Sequence, residues 1–262
     1  MDRREFIETG LVMLVTGNIM YSVADYIKNE EVKSKNKEQE DIINKIYNEY
    51  PNMLHISKTK SVTDEDKELN VSGYGIVINN QYVSVAHIVD SSEKEIKTPF
   101  GLVHQFNTIK SKSTTLYGVE LEDIYISHKD DVAVLGIPSI INVNNKFTLD
   151  DICFDDPKLG EDVYIVGNPG LQGVNVRKAK VSDLDFIEHY ENNKNYFGLD
   201  KGFMGGDSGT IAVNKGGKVL GINSFVFGGI FGYSIKMKAY EKYLKWYVLF
   251  RYLDTNCKIL LM

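Results

Sequence analysis

A series of short apolar segments separated by turns, beginning at Met53, places the strongest constraint on the fold of this chain. Tyr74–Ile78 and Tyr82–Ala86 are rich in aromatic and β-branched residues, and Asn79-Asn80 between them favours a tight hairpin turn. Many short strands with few long helical patterns are typical of β-barrels and β-sandwiches. The other predicted strands are residues 53–57, 102–106, 115–121, 132–137, 162–166, 174–181, 209–213 and 219–224.

The two ends of this β region have a different pattern. A charged spacer over residues 25–52 ends in Ile and Tyr residues at helical spacing, and Pro51 stops that pattern. Tyr and Leu residues recur at helical spacing again over residues 238–253. We therefore expect one helix before the β region and one after it. The polar stretch of residues 58–70 predicts a loop.

Composition limits the class of protein and of partner. A chain of 262 residues with 43% hydrophobic content has enough material for one all-β domain, which we place at residues 53–262. The net charge of -6 argues against nucleic acid as a partner. Two cysteines are too few for a disulfide framework or a zinc site, so we expect neither a metal nor a cofactor. A bridge between Cys153 and Cys257 stays open.

The first residues resemble an export signal. Arg3 and Arg4 precede an apolar-leaning segment over residues 10–23, and Ser22-Val23-Ala24 offers small residues at a cleavage position. The arginine pair is similar to a twin-arginine signal, although acids flank it. An uncleaved membrane anchor is the alternative reading of residues 1–24. The sequence therefore predicts an exported or outward-facing, membrane-anchored protein over a cytoplasmic one, and it does not set an oligomeric state.

A serine held between glycines is the first candidate for chemistry. The stretch Gly205-Gly206-Asp207-Ser208-Gly209-Thr210 follows a turn-prone run. Such a loop suits a nucleophile whose neighbouring backbone amides face a reacting carbonyl, and glycine permits the backbone angles that it needs. A plain surface turn has the same composition. The nucleophile reading requires a base and an acid that orients the base.

His87 is the best candidate for the base among the five histidines. It follows the apolar strand Tyr82–Ala86 directly, so a strand end can hold it rigidly beside a cleft. Asp131 is the best candidate for the orienting acid because it begins the apolar run Val132–Leu135. We prefer Asp131 to Asp130 because it shares a strand face with Ala133 and Leu135.

These contexts together resemble a known family. Five blocks in this order are similar to successive blocks of trypsin-like serine proteases, and most similar to the bacterial HtrA type. The three candidate residues, His87, Asp131 and Ser208, follow the chain order of the catalytic residues in chymotrypsin-like enzymes. The similarity covers roughly residues 53–247. The blocks are Gly73–Ile78, Val85–Val89, Asp131–Leu135, Val166–Gly170 and Gly206–Gly209.

The resemblance implies a fold and a set of roles. The fold would be two antiparallel six-stranded β-barrels that divide near residues 142–151, with the catalytic cleft between them. Ser208 would be the nucleophile, His87 the general base and acid, and Asp131 the residue that orients the imidazole. The amides of Gly206 and Ser208 would form the oxyanion hole, and Asp207 would shape that loop.

The resemblance also implies a substrate pocket. No acid stands at its base, so a small or apolar residue is expected before the cleaved bond. Substrates would be polypeptides, from exported or misfolded proteins. The pocket would be walled by Gly202, Phe203, Met204, Ser224, Phe225 and Val226.

The chain departs from the HtrA pattern at three points. Asp207 replaces the usual Asn before the serine, so it needs another partner; without one, the loop would rest in an inactive arrangement. Thr210 and Ile211 replace a Gly-Pro pair. No segment of this chain resembles a PDZ domain. The sequence therefore predicts a serine endopeptidase, with a catalytically silent binding module on the same fold and an esterase-type hydrolase as alternatives.

Overall fold

The computed structural model describes residues 34, 37–63, 65–90, 93–98, 101–106, 109–188, 191–227 and 230–245. The chain divides into two compact units, Met1–Asn44 and Lys45–Met262. Residues 37–44 of the first unit and 45–48 of the second are helical. The export signal predicted at residues 1–24, Cys257 and the predicted helix beyond residue 245 lie outside the described residues. Within the part that is described, no helix combines the length and apolar character needed to cross a membrane.

In the described residues, the first half of the second unit contains nine strands. Seven of them form one curled antiparallel sheet in the order β7-β6-β1-β2-β3-β9-β8, and β4 with β5 forms a separate hairpin. The strands are β1 (Leu54–Thr63), β2 (Glu68–Ile78), β3 (Gln81–Val85), β4 (Glu93–Thr98), β5 (Gly101–Phe106), β6 (Ile109–Leu116), β7 (Val119–Glu120), β8 (Glu122–Ser127) and β9 (Val132–Gly136).

Eight further strands follow a connection over residues 137–161. Six of them close into an antiparallel barrel in the order β10-β11-β14-β17-β16-β15, and residues 241–245 after the barrel are helical. Apolar side chains such as Val163, Phe197 and Leu220 fill the barrel. The strands are β10 (Asp162–Gly167), β11 (Asn175–Asp183), β12 (Phe186–Glu188), β13 (Glu191–Asn193), β14 (Tyr196–Leu199), β15 (Ile211–Asn214), β16 (Val219–Phe227) and β17 (Phe231–Lys236).

The all-β, chymotrypsin-like architecture predicted from the sequence is confirmed, with a seven-stranded sheet in the first half where six strands were expected. The loop predicted at residues 58–70 is wrong, because β1 and β2 extend through most of it as a long antiparallel pair. The buried face of β1 consists of small polar side chains, including Ser57, Thr59 and Ser61. Thr59 Oγ1 lies 3.1 Å from Thr114 Oγ1 on β6, so these hydroxyls satisfy one another inside the sheet.

The single strand predicted at residues 115–121 is also wrong. It is the end of β6, a turn and the short β7, with both Tyr117 and Gly118 in the left-handed backbone region (φ 53° and 80°). Glycine adopts that region readily, and the chain reverses there. The apolar pattern that predicted a single strand covers both arms of a hairpin.

Candidate active site

His87 is placed by a single helical turn, Ala86–Val89, that directly follows β3. Its Nδ1 lies 2.9 Å from Asp131 Oδ2 and 3.1 Å from Oδ1, and its backbone N–H donates to Oδ1 at 3.0 Å. The N–H of Ala86 donates to the backbone carbonyl of Asp131 at 3.0 Å. The carboxylate of Asp131 therefore holds both the ring and the backbone of His87.

Strand pairing brings these two turns together. β3 lies beside β9 with Val85 opposite Val132, so the residues that follow one strand and precede the other become neighbours. Asp131 has a left-handed backbone with φ of 51°, which is uncommon outside glycine and which Asp tolerates better than most residues. Strained backbone of this kind is concentrated at functional sites.

The neighbouring acid has a different environment. Asp130 Oδ1 accepts a hydrogen bond from Asn195 Nδ2 at 2.9 Å, and its Oδ2 accepts one from the hydroxyl of Ser127 at 3.3 Å. It is Asp131 that faces the imidazole. Asp131 itself lies in the turn before β9, not on the strand face that the sequence argument assumed.

Ser208 and Ser224 extend this group from the barrel side. The hydroxyl of Ser208 donates to the backbone carbonyl of Ser224 at 3.2 Å. The hydroxyl of Ser224 donates to Asp131 Oδ2 at 2.5 Å. The sequence analysis assigned Ser224 to the substrate pocket and did not foresee that its side chain contacts the acid. Nothing in its local sequence indicates this contact, since it depends on where β16 passes the first sheet.

The loop before Ser208 has the geometry of an anion-binding site. Gly206 has φ of 98°, and a Cβ there would lie 2.3 Å from the carbonyl oxygen of Asn168. The carbonyl of Gly205 accepts from the N–H of Gly170 at 2.8 Å, which turns the N–H of Gly206 to the opposite side of the planar peptide. Among the described residues, the N–H groups of Gly206 and Ser208 donate to no protein acceptor. Both can therefore serve an oxyanion.

Asp207 has a charged partner, which the sequence analysis left open. Its side chain is fully buried, and its Oδ2 lies 2.7 Å from Nη2 of Arg177 on β11. The same oxygen accepts from the N–H of Met204 at 2.9 Å. Arg177 lies inside a predicted strand with no motif around it, so the local sequence offered no signal for this role.

Residues of β2 and of the segment after β10 support the same loop. Asn168 is buried, donates to Tyr74 Oη at 2.7 Å and accepts from the N–H of Gly173 at 2.7 Å. A Cβ at Gly209, where φ is 78°, would lie 1.8 Å from the carbonyl oxygen of Tyr74. The serine loop can approach β2 this closely only because residue 209 is glycine.

The residues predicted to wall the substrate pocket differ in how exposed their side chains are. Phe203 is only 7% exposed and its side chain joins the barrel core, so only its backbone is left to line a pocket. Met204 is 60% exposed and Val226 42% exposed. Phe225 stacks on Tyr233 with ring centroids 5.3 Å apart. The predicted contribution of Phe203 to the pocket is therefore limited to its backbone.

A buried phenol lies close to the acid. Burial, reinforced by the negative charge of Asp131, raises the pKa of Tyr240 well above its ordinary value of 10.0. The hydroxyl of Tyr240 donates to the backbone carbonyl of Ser84 at 3.1 Å. Tyr240 is therefore a buried neutral group that adds no charge.

Comparison with known proteins fits this geometry. The sequence profile described as the trypsin-like peptidase domain matches residues 73–222, which is more than half of the chain. The chain belongs to the trypsin-like peptidase family. The description of this family names peptidase activity.

One curated relative of this trypsin-like peptidase is named "Probable serine protease do-like" from Buchnera aphidicola subsp. Acyrthosiphon pisum. The two are 25% identical over 171 residues, which is 62% of this chain and 31% of the relative. The chain thus spans about a third of the length of that relative.

Solved structures of an HtrA-type protease share the fold of this peptidase. The protease AlgW with a decapeptide has a TM-score of 0.52 at 17% identity, covering 78% of this chain and 66% of the other. The same protease with a tripeptide has a TM-score of 0.50 at 16% identity, covering 76% of this chain and 60% of the other. At these identities the similarity concerns the fold alone.

Proposed function

We propose that this chain is a serine endopeptidase that hydrolyses peptide bonds through Ser208, His87 and Asp131. The observation that carries the proposal is the 2.9 Å contact between His87 Nδ1 and Asp131 Oδ2, next to a serine loop whose two amides have no protein acceptor in the described structure. Nucleophile, oriented base and oxyanion donors are the three parts that acyl transfer requires.

The reaction follows from the roles of these atoms. Ser208 Oγ attacks the carbonyl carbon of the substrate while His87 Nε2 takes the hydroxyl proton. For this step, the Ser208 hydroxyl rotates away from the carbonyl of Ser224, to which it donates in the resting arrangement. The N–H groups of Gly206 and Ser208 stabilise the oxyanion of the tetrahedral intermediate.

The collapse of that intermediate completes the cycle. His87 Nε2 returns its proton to the leaving amine, and an acyl ester remains on Ser208. A water molecule, deprotonated by the same nitrogen, then hydrolyses the ester. Asp131 keeps the Nδ1 proton of His87 in place throughout, so Nε2 is always the nitrogen that faces the reaction.

The substrate proposal rests on the absence of a charge. The predicted pocket segments 202–204 and 224–226 contain no acid that could bind Lys or Arg, so a small or apolar residue is expected before the cleaved bond. Polypeptides are the proposed substrates, and the related AlgW structures are described as complexes with peptides. Residues 1–24 resemble an export signal, which favours a site of action outside the cytoplasm. The proposed substrates there are exported or misfolded proteins.

A fluorophosphonate probe followed by a peptide-library digest tests the proposal. We expect the probe to label the protein, with labelling abolished in Ser208→Ala and strongly reduced in His87→Ala. The digest, read by mass spectrometry, should show internal cleavage after small or apolar residues. Ester hydrolysis without peptide cleavage would indicate an esterase. A folded protein that neither labels nor cleaves would be a binding module and would overturn the proposal.

A further inference from the structure

We infer that Arg177 is the positioning residue that holds the 202–207 loop in its oxyanion-binding form. This inference deepens the proposed function and rests on it for its catalytic meaning. Arg177 lies on β11, a barrel strand with no motif that marks it as functional. Its guanidinium group contacts the loop at two separate places, and those contacts determine where the amides of Gly206 and Ser208 lie.

The geometry is that of a clamp. Arg177 Nη1 donates to the carbonyl of Gly202 at 3.3 Å, and Nη2 lies 2.7 Å from Asp207 Oδ2. The N–H of Met204 donates to the same Oδ2 at 2.9 Å. One planar cation therefore joins the start of the loop to its end, and the shared carboxylate fixes the middle. Arginine suits such a site because its donors form a rigid fork.

The environment makes this ion pair difficult to replace. Asp207 is fully buried and Arg177 is 25% exposed. Within the described structure, Asp207 Oδ1 and Arg177 Nε have no hydrogen-bond partner. Oδ1 instead lies against Gly167 of β10, where a Cβ would be only 2.3 Å away. A buried carboxylate that depends so heavily on one cation is strongly destabilised when that cation is removed.

The position of Asp207 in the chain links this pair to catalysis. It lies between Gly206 and Ser208, so anchoring its side chain fixes the peptide groups on both sides, whose N–H groups are the proposed oxyanion donors. The cation comes from β11 inside the folded domain. The partner of Asp207 is therefore supplied by the barrel itself.

The test uses the full chain and the variants Arg177→Gln, Arg177→Lys and Arg177→Gln/Asp207→Asn. We expect Arg177→Gln to lower the rate of fluorophosphonate labelling and the kcat for a chromogenic ester by about 10²- to 10³-fold, with little change in KM. Arg177→Lys should keep part of the activity. The double variant should recover at least part of the loss, because it leaves no buried charge without a partner.

Lys180→Gln is the matched control, since Lys180 lies on the same strand as Arg177 and forms an exposed ion pair with Asp162 on β10. It should react like the wild type. Hydrogen exchange of the amides of residues 203–209 gives a readout independent of activity, and we expect faster exchange in Arg177→Gln only. If the wild type does not react, the proposed function fails, and faster exchange in Arg177→Gln still supports the positioning role. Unchanged labelling together with unchanged exchange in Arg177→Gln would overturn the positioning role of Arg177.

Discussion

The hydroxyl of Ser224 lies 2.5 Å from Asp131 Oδ2, the same carboxylate oxygen that lies 2.9 Å from Nδ1 of His87. The two contacts come from different halves of the fold, one from the barrel strand β16 and one from the turn after β3. The proposed acid is therefore held by one donor from each half of the fold. Its orientation depends on how the two halves are positioned against each other.

Ser224→Ala should lower kcat/KM about tenfold, because a hydrogen bond to a charged group contributes about 1.5–3 kcal/mol and His87 still holds the carboxylate. The carbonyl of residue 224 stays in place, so the resting contact of the Ser208 hydroxyl is unaffected. Steady-state kinetics on a peptide substrate measure the effect. An unchanged kcat/KM would show that the Ser224 hydroxyl is not needed to position Asp131.

Asp131→Asn should lower kcat by about 10⁴-fold, because an amide in place of the carboxylate favours the wrong tautomer of His87. Asp130→Asn is the matched control, since its carboxylate contacts Ser127 and Asn195 instead. That variant should keep kcat near the wild-type value. A larger loss in Asp130→Asn than in Asp131→Asn would reverse the assignment of the acid.

Gly206→Ala should reduce kcat by about 10²- to 10³-fold, the cost of displacing one oxyanion donor. Its φ of 98° disfavours any side chain, and the new Cβ would lie 2.3 Å from the Asn168 carbonyl. Gly205→Ala provides the comparison, because a Cβ there has no atom within 4 Å in the described structure. Equal kcat values for the two variants would show that the Gly206 peptide is not positioned for catalysis.

His55 should make the domain less stable in mild acid. Burial lowers the pKa of His55 from 6.5, although its hydrogen bond to the Asn145 carbonyl opposes this shift. Because the folded pKa lies below the unfolded one, the unfolded chain binds more protons as the pH falls below 6.5, and the free energy of unfolding decreases. One such group changes that free energy by at most about 1.4 kcal/mol per pH unit.

Urea denaturation between pH 5 and 8 measures this effect. His55→Gln removes the titrating group and can still donate toward the Asn145 carbonyl, which lies 2.6 Å from Nε2 in the wild type. We expect the loss of stability below pH 6.5 to be smaller in this variant than in the wild type. The same pH dependence in both proteins would assign the acid sensitivity to other groups.

The sequence predicted those parts of the fold whose apolar pattern is local. The hairpin of β2 and β3 was visible because two apolar segments flank Asn79-Asn80, and both asparagines adopt positive φ in the structure. The second half of β1 was predicted as loop because its buried side chains, Thr59, Ser61 and Thr63, are small and polar. Such residues are buried only when neighbouring strands supply hydrogen-bond partners, as Thr114 does for Thr59.

The sequence by itself determined which residues can do chemistry here: a histidine at the end of an apolar strand, an acid at the start of another, and a serine between glycines. Each of these depends on a few adjacent residues. Only the tertiary structure decided what holds them. Arg177 and Asp207 are 30 residues apart, and Ser224 and Asp131 are 93 apart. Such contacts depend on strand order and register, which no local pattern specifies, and for that reason the clamp on the serine loop emerged only from the folded barrel.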